Sequence, residues 1–205
     1  MTKKVNIPTD SGADVQTVSE AVSARLKAHR KQQKLSLDEL SRRAGVSKGM
    51  LVEIEKSAAN PSIAILCKIA AALGMSVADI VNVASAPPVH LIEAEHIPTL
   101  WTGPGGGTAR LLAGTSGPNM IELWRWVMPP GERFESPGHP QGTFELFHVE
   151  QGQLTVRVGK TELIVPAGCS AVARTDVPHH YANEGDAGLI FTMSVAELHP
   201  QATTR

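Results

Sequence analysis

The sequence predicts an α+β chain with the two classes in separate domains, an all-α part over residues 15–84 and an all-β part over residues 118–200. Three observations carry that expectation. All eight aromatic residues lie beyond position 100, from Trp101 to Phe191. Residues 1–84 hold only four of the eighteen glycines and two of the fourteen prolines, so turn-forming residues crowd the second part. Charge divides too: twelve Lys and Arg face eight Asp and Glu before residue 85, and seven face twelve after it. A chain of 205 residues accommodates two small domains. Pro87 and Pro88 stop a helix and favour extended chain, which sets the boundary near residues 84–88. Residues 1–14 are expected to be a flexible N-terminus, and residues 85–117 a linker with lead-in strands.

The composition also excludes classes. No apolar run approaches the ~18–20 residues a membrane span needs, and the first residues lack the apolar stretch of a secretory signal. Cys67 and Cys169 are far apart, which argues against a disulfide scaffold. A reduced, cytoplasmic protein with no membrane partner is the expectation.

In the first part, Val15, Val18, Val22 and Leu26 form one apolar stripe on a helix reaching about Lys31. Ser36 is placed to cap a second helix, with Glu39 completing a capping box, Leu37, Leu40 and Ala44 facing inward and Gly45 ending it. Ser47 caps a third helix carrying Leu51 and Ile54. Ser62, after Asn60-Pro61, caps a fourth with Ile65, Leu66, Ile69, Ala70 and Leu73, and Gly74 stops it. A short helix over 77–81 follows.

Two helices joined by a glycine turn need a buried apolar residue (Leu40), a small neighbour (Ser41, where Ala is usual), Gly45 and Val46 at the turn, and Leu51 and Ile54 in the second helix. The stretch IEKSAANPS follows them. Over residues 20–82 this resembles the lambda-repressor-like helix-turn-helix of the XRE family of bacterial regulators. The resemblance implies that the helix from Ser47 to Lys56 enters the DNA major groove. Lys48, Gly49, Met50 and Glu53 would face base edges, and Ser47 would cap the helix near a phosphate. Lys34, Arg42, Arg43 and Lys56 would contact phosphates. A solvated basic face on a helical interaction bundle is the plainer alternative.

Beyond residue 98 the signals become those of strands. Residues 121–128, 144–149, 154–158, 162–165, 170–173 and 189–195 are short β-rich runs separated by Gly152, Gly159, Gly168 and Gly185. Within them Pro130-Gly131, His139-Pro140-Gln141, Glu145 and Gly152 precede Pro166-Ala167-Gly168, Pro178-His179 and Asn183. These spacings resemble the two motifs of the cupins, double-stranded β-helix barrels, over residues 118–196, with Gln141 where the second histidine of the first motif stands. The resemblance implies a divalent metal site (zinc, iron, manganese or nickel) at His139, Gln141, Glu145 and His179; two imidazoles and one carboxylate leave coordination positions open. The alternative is a polar pocket lining without metal. Alternation turns His148 and His180 away from the site.

A barrel mouth is a natural small-molecule cavity. Trp124 and Trp126 share a strand face, as pocket lining or as core, while Arg125 occupies the other face. Arg110, Arg125, Arg133 and Arg174 are candidates to pair a ligand carboxylate. The run Gly103-Pro-Gly-Gly-Gly107 lacks the Lys-Ser/Thr of a phosphate loop and is expected to be a flexible loop.

Together the halves resemble the XRE–cupin regulators, and residues 137–145 resemble the sulfur-utilisation subgroup. This implies a sequence-specific transcriptional regulator, not an enzyme. It would bind a double-stranded operator as a homodimer and sense a small effector, a sulfur-containing amino acid or a relative. Two alternatives remain open: a metal-dependent cupin dioxygenase or isomerase with a DNA-binding head, and a cupin that only dimerises.

Overall fold

Caps set the helix boundaries in the first domain. The computed structural model describes residues 15–59, 61–81, 89–117 and 119–198, with side chains from residue 19 onward. Five helices occupy the first part: α1 (Val15–Gln32), α2 (Leu37–Ala44), α3 (Lys48–Glu55), α4 (Ile63–Leu73) and α5 (Val77–Val81). Ser36, Ser47 and Ser62 each sit in extended conformation and accept a bond from the backbone N–H three residues on, at 3.1, 3.2 and 3.4 Å. The expected capping box is half made, because the Glu39 carboxylate turns outward to Arg42 and Arg43. Gly45 and Gly74 end α2 and α4 at φ of 62° and 67°. Val22, Leu26, Leu40, Leu51, Ile54, Leu66 and Ile69 form the helical core. Of the apolar stripe expected on α1, the side chains of Val15 and Val18 lie outside the described residues, as do the N-terminal residues 1–14, Asn60 and the boundary at 84–88.

Two antiparallel sheets build the second part. One has the order β1 (Thr99–Thr102), β2 (Thr108–Gly114), β3 (Met120–Met128), β10 (Leu189–Glu197), β5 (Phe144–Gln151), β8 (Ser170–Arg174). The other runs β4 (Arg133–Ser136), β9 (His179–Ala182), β6 (Gln153–Val158), β7 (Thr161–Pro166). All six strands expected from the sequence form, β1 and β2 fall where lead-in strands were expected, and β4 and β9 are added to them. Strict alternation in β3 and β10 turns every second residue inward. Trp126 stacks on Phe191 across these neighbours, centroids 5.8 Å apart and planes 4° from parallel, with Phe147 and Tyr181 edge-on nearby. This aromatic cluster fills the barrel.

The glycine-rich run is no loose loop. Gly103 and Gly107 close the β1–β2 hairpin, and Gly107 N–H donates to the buried Glu132 carboxylate at 3.0 Å. A Cβ at Gly103 would overlap Glu132 Oε1, so the glycines are there to let backbone approach that carboxylate.

The two parts touch. Ala78 N–H at the start of α5 donates to buried Glu122 Oε1 on β3 at 3.2 Å, and Gly117 N–H donates to Asp79 at 3.0 Å. Gly114 of β2 lies so close to Ala78 that a Cβ there would collide with it.

Candidate functional site

Two strands and a loop deliver the barrel's polar centre. Glu145 is the second residue of β5, where alternation points it inward with Phe147 and Val149. His179 opens β9, and His139 lies in the β4–β5 loop, its backbone N–H held by the Thr175 carbonyl at 2.9 Å. One ligand atom from each of His139, Glu145 and His179 falls within 4.8 Å of the others. Glu145 Oε1 lies 3.0 Å from His139 Nε2 and 3.7 Å from His179 Nε2, yet it is fully buried and accepts no aligned hydrogen bond. A buried carboxylate oxygen set between two imidazole nitrogens is what a cation satisfies, whether a proton on His139 or a divalent metal. His179 Nδ1 is 2.8 Å from the Val177 carbonyl, which fixes the proton there and leaves the Nε2 lone pair toward the cluster. Burial lowers the His179 pKa and keeps it neutral, as a ligand must be. These three residues fit a divalent metal.

Around them sits a shell the sequence reading did not include. Tyr181 donates its hydroxyl to Glu145 Oε2 at 2.5 Å and also approaches His179 Nε2 at 3.1 Å. Its own pKa is pushed up by burial and by the Glu145 charge, so it stays a donor. Glu197 lies 3.4 Å from His139 Nδ1. Burial opposes charging His139, but the Glu145 and Glu197 carboxylates outweigh it and raise its pKa to about 9. A metal would take the place of that proton. Tyr181 was open to discovery from sequence, since it stands two residues beyond His179 in a strand and shares its side. Glu122 carried the same signal, two residues before Trp124 on one face of β3, whereas Glu197 lies beyond the strand expected over 189–195.

Gln141 is exposed in the β4–β5 loop and does not line the cavity, so it takes no part in the cluster; Tyr181 is the polar group found beside the cluster. Asn183 ties loops together, donating to the Met128 and Ala187 carbonyls at 2.8 Å each. His148 is exposed beside Ser170, and His180 turns to Arg133 on the far side of β9.

The cluster opens into a cavity of about 230 Å³. Trp124 and Trp126 line it while remaining almost wholly buried, so they are core and pocket wall at once. Arg125 is not there: it faces the exterior and pairs with Glu150 at 3.3 Å. Arg110 donates to the Ala94 carbonyl, Arg133 pairs with Glu135 and Arg174 with Asp176, so all four candidate arginines are engaged outside the cavity.

In the first domain α3 presents Ser47, Lys48, Gly49 and Glu53 to solvent, with Met50 half-buried against the core. Lys48 pairs with Asp38 at 2.9 Å, and Arg42 and Arg43 share Glu39. Such exposed pairs are weak and exchange readily for phosphate. The Ser41 hydroxyl donates to the Val46 carbonyl at 2.7 Å, which explains a serine at the small position of the turn. Lys34 and Lys56 are exposed at turns flanking α2 and α3.

Comparison with known proteins agrees with both halves. Residues 26–80 match the helix-turn-helix family and residues 124–195 the cupin domain family. The HTH-type transcriptional regulator SutR of Escherichia coli (strain K12) is 26% identical over 177 residues, covering 86% of this chain and 95% of that protein. The HTH-type transcriptional regulator SinR of Bacillus licheniformis is 42% identical over 62 residues, 30% of this chain and 56% of its own. A crystal structure of an HTH_3 family transcriptional regulator from Vibrio cholerae superposes with a TM-score of 0.66 at 25% identity, covering 92% of this chain and all of that one. The chain is a transcriptional regulator that joins a helix-turn-helix domain to a C-terminal cupin domain, and it is similar across both domains to SutR.

Proposed function

We propose that the cupin domain is a sensor, not a catalyst, and that a small metabolite bound in its cavity alters DNA binding by the helix-turn-helix head. The observation that carries this is the buried His139, Glu145 and His179 cluster opening into a cavity beside the head. His139, Glu145 and His179 would hold a divalent metal, which would offer the metabolite open coordination positions. The cavity's small volume favours a small metabolite, and the motif resemblance of residues 137–145 favours a sulfur-containing amino acid. Relatives similar to the chain over both domains are regulators, which favours sensing over turnover. Residues 15–84 are the DNA-binding unit and 118–200 the effector unit.

On DNA, Ser47, Lys48, Gly49, Met50 and Glu53 approach the bases, and Lys34, Arg42, Arg43 and Lys56 the phosphates. Their exposure around α3, half-buried Met50 apart, supports this reading. One eight-residue helix contacts too few bases for a unique operator, so the protein acts as a homodimer on paired half-sites. The outer face of β3, β10, β5 and β8 supplies a surface for a second copy: Leu123, Leu146 and Val172 align across it and are exposed.

Thermal shift of the metal-loaded protein with L-cysteine and L-methionine tests the sensor reading. A ligand at 100 times its Kd stabilises the folded state by ~2.7 kcal/mol. The expected shift disappears in Glu145→Ala. Oxidation or isomerisation of a ligand by the wild type, lost in that variant, would establish the enzyme reading instead.

A further inference from the structure

The barrel alone does not enclose its cavity. Ile63, Ala64, Cys67, Lys68 and Ala71 line it from α4 of the DNA-binding head. Helical spacing puts these five on one side of α4, while Leu66, Ile69, Ala70 and Leu73 on the other side fill the head's core. A helix apolar on both sides is one that is covered on both sides, and Lys68 is the single charged residue of α4. Cys67, Lys68 and Ala71 line one cavity with Glu122 and Glu145, so α4 borders the barrel's acidic floor, and burial together with those carboxylates pushes the Cys67 thiol pKa well up. The buried indole N–H of Trp126 in the lining is left over as a donor that a polar ligand atom would satisfy.

We propose that α4 is part of the effector site itself, with Lys68 taking the carboxylate of a small amphipathic acid whose apolar body lies between Cys67 and Ala71 of the head and Trp124 and Met193 of the barrel. The inference rests on the sensor reading above and adds the head as a ligand-contacting wall. Lys68 is the one lysine or arginine in the described lining; it is exposed, and it belongs to the α4 wall, whereas Glu145 and His139 belong to the barrel. A molecule with a carboxylate at one end and a metal-seeking or cationic end at the other matches that polarity. A ligand touching both domains binds more tightly when α4 is seated on the barrel than when it is not. That difference in affinity is what a ligand needs to shift the placement of α3, which belongs to the same helical core.

The test uses the protein's two cysteines in the full-length chain. Iodoacetate is a small carboxylate, and iodoacetamide is its neutral counterpart. Mass spectrometry follows the alkylation rate of each cysteine by each reagent. Cys169 is exposed on the barrel and serves as the internal reference. The ratio of the two reagents cancels the low thiolate fraction of Cys67. The iodoacetate-to-iodoacetamide ratio is expected to be about fivefold higher at Cys67 than at Cys169, the factor of a partly screened ion pair. Lys68→Gln should bring it down to the Cys169 value. Equal ratios in the wild type, or a Cys67 preference that survives Lys68→Gln, overturn the proposal.

L-methionine separates this from the identity of the metabolite. Protection of Cys67 by L-methionine supports the shared wall. A thermal shift with L-methionine that leaves Cys67 alkylation unslowed overturns it and spares the sulfur reading. Carboxylate preference at Cys67 without a response to any sulfur amino acid supports the shared wall and removes the sulfur reading.

Discussion

Glu122 joins three parts of the molecule through one carboxylate. Oε1 accepts from Ala78 N–H of the head, Oε2 accepts from the Trp124 indole at 3.1 Å, and the group lines the cavity. Burial dominates its ionisation and raises its pKa from 4.5 to about 7, against the pull of those two donors. Because the folded value lies above the unfolded one, the stabilisation is complete below pH 4.5 and is lost as pH rises to about 7. The full shift corresponds to roughly 3 kcal/mol at most. Urea denaturation at a series of pH values should show this component of stability declining from pH 4.5 to 7, and Glu122→Gln should flatten it. A second residue-scale expectation concerns Tyr181. Tyr181→Phe removes the donor that orients Glu145 Oε2 and should weaken divalent metal binding by about 10–100-fold in a chelator competition titration, with little change in fold. His139, Glu145 and His179 were legible because motif spacing is a property of the chain. Tyr181 was half legible, through strand alternation, and Gln141 was misread because its loop turns it outward. Arg125 failed for a related reason: charge chemistry made it a candidate, but alternation in β3 sends it to the face opposite Trp124 and Trp126.

At the scale of elements, one ion pair fixes how α3 is presented. Arg30 near the end of α1 grips Glu55 at the end of α3 through two bonds of 2.6 and 2.7 Å, and its third nitrogen donates to the Leu35 carbonyl at 2.8 Å. Both side chains are nearly buried, at 12% and 9% exposure, so removal of one leaves the other charge without a partner in the domain. Arg30→Met should destabilise the head by about 3 kcal/mol in urea unfolding followed by helical circular dichroism. Operator affinity should fall with it, since α3 loses its anchor to α1. Short helices were legible from caps, because Ser36, Ser47, Ser62, Gly45 and Gly74 act on their own neighbours. The Arg30–Glu55 pair was not, since 25 residues separate its members and nothing local marks either. Strands β4 and β9 were missed for the same kind of reason. Each has four residues, and they pair with each other across more than forty positions, so the sheet and not the local sequence defines them.

Across the whole molecule, the outer face of the larger sheet is the surface that a monomer leaves unexplained. Ile121 aligns with Ala196 and Phe144 in a row that ends on Arg174, and the adjoining row of Leu123, Ser194, Leu146 and Val172 carries no charged residue. Arg125, His148 and Glu150 border it, giving the apolar centre and polar rim of a protein–protein interface. Burying that face between two copies presents two α3 helices from one assembly, and binding at the second half-site then becomes intramolecular. Leu146→Glu puts a charge at the centre of the strip, which a second copy would have to bury without a partner. Since Leu146 is 47% exposed in the monomer, the substitution should leave the Tm of the isolated chain nearly unchanged. Sedimentation velocity should then show a monomer where the wild type sediments as a dimer. Affinity for duplexes selected by the wild type from a random pool should drop by about 100-fold, the loss expected when two linked contacts become one. A Leu146→Glu protein that still sediments as a dimer and holds those duplexes as tightly would move the interface off this sheet.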